Sequence, residues 1–70
     1  MTFTPPEWTP GDRLRAQRER LGLKISDIAQ RAGVNQETVI NAEKDRSTTE
    51  RTMVKLAEAL EAPVEWIRNG

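Results

Sequence analysis

The sequence predicts an all-α fold of five short helices, on three observations. Apolar residues recur at helical spacing in successive segments; Gly22, Gly33 and Pro63 separate those segments; and seventy residues leave room for only one small core. One domain over residues 9–70 is expected, preceded by a Pro/aromatic segment over 1–8.

The leading segment holds Phe3, Pro5, Pro6 and Trp8 and no basic side chain, so it does not read as a charged arm for a polyanionic partner. Trp8 or Phe3 is expected to pack on the body as a lid, the alternative being a flexible or partner-binding tail. The first helix opens at Thr9, with Pro10 at its first position and Asp12 at its third, a capping-box-like start. It is expected to run to about Leu21, before Gly22. Leu14, Arg18 and Leu21 fall within about 60° on the helical wheel, which turns Arg18 toward the core edge. A guanidinium there requires a carboxylate partner, because an unpaired buried charge costs several kcal/mol.

The second and third helices carry most of the functional signal. Ile25, Ile28, Ala29 and Ala32 form an i, i+3, i+4, i+7 stripe; Gly33 supplies the stop; Asn35 is a good N-cap for the helix that follows. Two short helices joined at a glycine in this way read as a DNA-binding helix-turn-helix. In the third helix Thr38, Val39 and Ala42 form an inner side, while Gln36, Glu37, Ile40, Asn41 and Lys44 share an outer arc of roughly 140°. Its two amides and its carboxylate are groups that read base edges, Gln or Asn pairing bidentately with adenine and Glu accepting from the cytosine amino group. A solvated polar face is the plainer interpretation of the same arc. Gln36, Glu37, Ile40 and Asn41 are the expected base-reading positions.

After Lys44 a polar loop, DRST, leads to a fourth helix capped by Thr48 or Thr49, with Met53, Leu56, Ala57 and Leu60 as its buried stripe. Pro63 ends that pattern and starts a short fifth helix in which Val64 and Ile67 share a side and Trp66 projects nearby.

From Gly11 onward the chain resembles the lambdoid phage repressor and Cro group, bacterial and phage regulators of the xenobiotic-response-element type. The residues that carry the resemblance are LRAQRERLGL at 14–23, IAQRAGV at 28–34, Glu43, LAEAL at 56–60 and VEWI at 64–67. The resemblance implies a five-helix repressor-like domain with the helix-turn-helix at helices two and three. It supplies Glu43 as the partner of Arg18 in a structural salt bridge, and it places phosphate contacts at Lys24, Lys44, Arg46 and Arg51. Arg68 and Lys55 then fall toward the far end of the domain. It also makes Val64 and Trp66 candidate dimer contacts, with core filling as the other role for Trp66. The chain departs from the family pattern at Lys24 and Ile25, where relatives carry a Ser or Thr cap and then Gln. It departs again at Asp45, where Gly is common and a positive φ is disfavoured for other residues.

Composition narrows the function further. The absence of Cys and His excludes disulfides, ordinary zinc sites and any triad built on those residues. No cofactor, metal or small-molecule ligand is indicated, and the remaining carboxylates and lysines do not form an evident catalytic pair, so an enzyme is not expected. Neither a membrane span nor a secretory signal is visible, which fits a cytoplasmic protein of a bacterial cell or phage-infected host. Eleven basic and eleven acidic residues give zero net charge, whereas phosphate-binding domains usually carry a basic excess.

The expected activity is transcriptional regulation, most simply repression by a small Cro-like protein occupying an operator. A single reading helix inspects few base pairs, so a homodimer on double-stranded DNA with inverted half-sites about one helical turn apart is expected. The alternative is a protein-interaction module of the same fold, an antitoxin-type or regulatory partner. Zero net charge and Ile25 and Ile40 on the DNA side favour it.

Overall fold

The structure is a computed structural model that describes residues 8–46 and 48–70. It contains α1 (Pro10–Arg20), α2 (Ile25–Ala32), α3 (Gln36–Glu43), α4 (Glu50–Ala59) and α5 (Val64–Asn69). Phe3, half of the lid expectation, lies outside the described residues, whereas Trp8 is half-buried and lines a shallow cleft together with Asp12, Arg15, Ala16 and Glu19 of α1.

Local chemistry sets the helix starts. Thr9 and Asp12 form a reciprocal capping box on α1; Asn35 accepts from the Thr38 N–H to cap α3; Thr49, rather than Thr48, accepts from the Thr52 N–H to cap α4. At the start of α2 Lys24 has no side-chain acceptor to offer. Instead the Asp27 carboxylate accepts from the Lys24 N–H at 2.8 Å, so half of a capping box survives the missing Ser or Thr.

One motif ends four of the five helices. The residues Gly22, Gly33, Asp45 and Glu61 all lie at φ between 57° and 71°. In each case the N–H of the next residue reaches back to the carbonyl five residues earlier: Leu23 to Arg18, Val34 to Ala29, Arg46 to Asn41 and Ala62 to Ala57, at 2.9–3.0 Å. This is the left-handed turn with a six-to-one hydrogen bond that usually docks an apolar residue behind it. Leu23, Val34 and Ala62 do dock on the core, and Arg46 does not.

The core consists of Leu14, Ile28, Ala29, Val39, Ala42, Leu56, Ala57, Leu60 and Ile67, drawn from all five helices. Two polar side chains are buried with it. The Arg13 guanidinium donates to the Ile67, Arg68 and Trp8 carbonyls, and the Gln17 amide donates to the Leu60 carbonyl. Arg13 thereby satisfies carbonyls at the C-terminal end of α5, where a cation is favoured. Leu21, grouped with Leu14 and Arg18 on the wheel, is 36% exposed: α1 stops before it, and the chain turns away at Gly22.

Candidate nucleic-acid interface

The position of α3 is fixed from both sides. At its C-terminal end Gly11 of α1 comes so close that a Cβ there would lie 2.4 Å from the Glu43 carbonyl oxygen and 2.9 Å from that of Ala42. Asp45, just beyond α3, accepts from the Gly11 N–H at 2.8 Å and from the Thr9 hydroxyl. The positive φ of 59° that disfavours Asp45 therefore aims its carboxylate at the N-terminus of α1, where a negative charge is stabilised. Hydrogen bonds that glycine lacks offset the backbone strain.

Arg18 and Glu43 are brought together. The Arg18 Nε donates to Glu43 Oε2 at 2.7 Å and Nη2 to Oε1 at 3.2 Å, a bidentate pair, while Nη1 donates to the Leu23 carbonyl at 3.2 Å. The hydrogen bond to Glu43 raises the guanidinium above the ordinary arginine range despite partial desolvation. The pair thus joins the end of α3 to α1 and, through Leu23, to the entry of α2.

Val39 and Ala42 are buried, which places the outward direction of α3 close to Glu37 and Lys44, both exposed. Ile40 and Asn41 sit about 50° to either side of that direction, with Gln36 beyond Ile40. Gln36 is exposed; Ile40 and Asn41 are half-buried. The two flanks differ in chemistry. On the Asn41 side a shallow cleft of about 160 Å³ is lined by Thr38, Asn41, Thr48, Thr49 and Thr52. There the Asn41 Oδ1 accepts a long, 3.4 Å hydrogen bond from Arg46. Of the two amides, Gln36 is thus the one left unengaged by the described side chains.

Charge is segregated although it sums to zero. Arg15 pairs with Glu19, Arg18 with Glu43, Arg31 with Glu61 and Arg68 with Glu50. Asp12 and Asp27 cap helices, and Asp45 is held by α1. Among the described residues the exposed cations in no ion pair are Arg20, Lys24, Lys44, Arg46 and Arg51, all but the first flanking the helix-turn-helix. Exposed pairs contribute little to stability, but each cancels locally the field that its cation would project. The sum over the chain hides this sorting. On the outer face of α3 Glu37 is the one acid in no ion pair or hydrogen bond among the described residues.

Two sequence expectations change. Arg68 is not remote from the basic rim, because its guanidinium meets Glu50, the neighbour of Arg51 at the start of α4. Ile25, which seemed to favour a protein partner by lying on the DNA side, packs against the core. Val64 and Trp66 are half-buried and also rest on the core, on either side of exposed Glu65. Sequence reasoning missed Arg13, Gln17, Asp27 and Gly11. An arginine and a glutamine four residues apart, beside Leu14 in a helix with few apolar residues, are the signal that could have found the first two.

Comparison with known proteins places this geometry in a family. A family model described as helix-turn-helix matches residues 14–67. A protein of Archaeoglobus fulgidus named as an HTH-type transcriptional regulatory protein is 41% identical over 49 residues, 70% of this chain; the chain spans only 16% of that relative's length. Among solved structures, the P22 c2 repressor in complex with a synthetic operator superposes with a TM-score of 0.83 at 20% identity, covering 90% of this chain and 97% of that one. The restriction-modification controller protein C.AhdI from Aeromonas hydrophila gives 0.77 at 29% identity, over 83% and 89%. The chain belongs to the helix-turn-helix family and has the five-helix, all-α fold of the lambdoid phage repressors.

Proposed function

We propose that this chain is a sequence-specific DNA-binding transcriptional regulator, a small Cro-like repressor that occupies an operator with inverted half-sites as a homodimer. The observation that carries the reading is that Lys24, Lys44, Arg46 and Arg51, exposed and in no ion pair among the described residues, flank the helix-turn-helix along the chain. Arg46 is the most telling member. At the equivalent place after α1, α2 and α4 the chain has an apolar residue docked on the core, and only after the reading helix does it have an exposed cation. In this reading the rim holds phosphates, which fixes register, and Gln36, Glu37, Ile40 and Asn41 face the base edges. Val64 and Trp66 on α5 join the protomers. The setting is the cytoplasm of a bacterial cell or phage-infected host; among the described residues no helix is long and apolar enough to cross a membrane.

Salt dependence tests the rim. A bound dimer should neutralise roughly six to eight phosphates, so log affinity should fall against log salt with a slope of roughly −5 to −7. Alanine at Lys24, Lys44, Arg46 or Arg51 should flatten that slope. Alanine at Arg31, paired with Glu61 at the opposite end of α4 from Arg51, should leave it unchanged. Titrations on one duplex at four or five salt concentrations decide the matter. Binding that ignores salt would favour the protein-interaction module instead.

Base reading has its own signature. Gln36→Ala is expected to cost about 1 to 3 kcal/mol on the preferred duplex and almost nothing on random DNA. Equal losses on both duplexes would remove Gln36 from the reading set.

A further inference from the structure

Ile40 is a half-buried apolar residue on a face of α3 whose other members are polar. It belongs to the outer arc of α3, bordered by Gln36 on one side and by Glu37 and Lys44 on the other, all three exposed. It is absent from the residues that pack on the core, although Ile25, the other isoleucine on that side, is among them. Helix stability does not explain it, since a β-branched residue is a weaker helix former than the polar straight chains that could replace it in an eight-residue helix. What remains is its surface: branched hydrocarbon beside an amide and a carboxylate.

In the major groove the one apolar recognition feature is the C5-methyl group of a pyrimidine, borne by thymine and by 5-methylcytosine. We propose that Ile40 contacts such a methyl group and makes binding depend on it, next to the base edge read by Gln36. The inference rests on the DNA-reading function proposed above. It adds to it the chemical class of the base. Gln36 and Ile40 lie one helical turn apart on one side of α3, and an A·T pair shows the adenine N6/N7 edge and the thymine methyl on the same groove floor. The two side chains therefore suit one pair or two adjacent ones. A cytosine beside Glu37 would donate its amino group to the carboxylate, and its methylation would offer Ile40 the same contact.

The test begins with selection of the preferred duplex from a random library at low salt. Thymines are then replaced singly by uracil, and cytosines singly by 5-methylcytosine, and Kd is measured for the wild type, Ile40→Ala and Ile40→Val. At one position in each half-site, loss of the methyl from thymine should weaken wild-type binding about fourfold, the worth of one buried methyl group. If the methyl belongs to 5-methylcytosine, its addition should strengthen binding to the same degree. Ile40→Ala should be indifferent to the change, and Ile40→Val should keep most of the response. Because Ile40 lies outside the core, both variants should melt cooperatively, and the valine variant preserves the comparison if the alanine one does not. A selected duplex whose affinity follows no methyl group, or follows one equally in Ile40→Ala, would overturn this contact and leave DNA reading intact. Recovery of no duplex at all would overturn the contact and the DNA-reading function together.

Discussion

Gly11→Ala is expected to lower Tm by roughly 12 to 24 °C, the equivalent of about 3 kcal/mol in a domain of this size. Helix propensity argues the other way, because alanine is favoured over glycine by about 1 kcal/mol within a helix. Space decides against it. The added Cβ would meet the Glu43 carbonyl oxygen at 2.4 Å, the Glu43 carbonyl carbon at 2.8 Å and the Ala42 carbonyl oxygen at 2.9 Å, all of them backbone atoms with no rotamer to change. Relief requires α1 and the end of α3 to separate. Separation would stretch the hydrogen bond from the Gly11 N–H to Asp45 and disturb the bidentate pair between Arg18 and Glu43, so several contacts should weaken together. Thermal unfolding by circular dichroism measures the shift. A Tm equal to or above that of the wild type would mean that the close approach of α1 to α3 does not exist in solution.

The elements legible in the sequence were those decided by neighbours along the chain. The Thr9 and Asn35 caps, the Gly33 turn and the stripes through Ile28 and Leu56 all arise within a few residues, where spacing is enough to predict them, while the α4 cap was narrowed only to Thr48 or Thr49. Residues whose role depends on distant partners were not legible. Arg13 meets backbone carbonyls 54 and 55 residues away, and no carboxylate in the sequence announces that pairing. Gly11 is required by a contact with the end of α3, not by a turn of its own. Asp45 looked unfavourable because only its φ could be weighed, while the α1 N-terminus that it serves lies 34 residues earlier. The interface followed the same division. The composition of the outer arc was readable, whereas the neutral net charge did not show which cations pair with carboxylates among the described residues. Asn41 and Gln36 are alike on the helical wheel, and only the structure shows that Asn41 has Arg46 and the threonine cleft beside it.

The coupling between Arg18 and Glu43 should be the strongest pairwise interaction accessible to a double-mutant cycle in this domain. Their side chains are only 15% and 8% exposed, so removing one leaves the other largely desolvated and unpaired. Arg18→Ala or Glu43→Ala should each cost about 2 to 3 kcal/mol, toward the lower part of the range for buried pairs because the arginine retains some water contact. Glu43 on its own is poorly placed, an acid in the last turn of α3 near the negative end of the helix dipole, and Arg18 offsets that disadvantage. The double mutant should therefore lose less than the sum by about 1 to 2 kcal/mol. The sign of the pH dependence follows from the raised guanidinium. Its stabilising contribution is complete below the ordinary arginine range and is lost only as pH climbs through the still higher folded value, so it should be constant around neutrality. Denaturant unfolding of the four proteins at neutral pH gives the coupling. Strict additivity would show that the pair does not hold α3 against α1. In that event the pose of α3 would rest on the Gly11 and Asp45 contacts and on the burial of Val39 and Ala42.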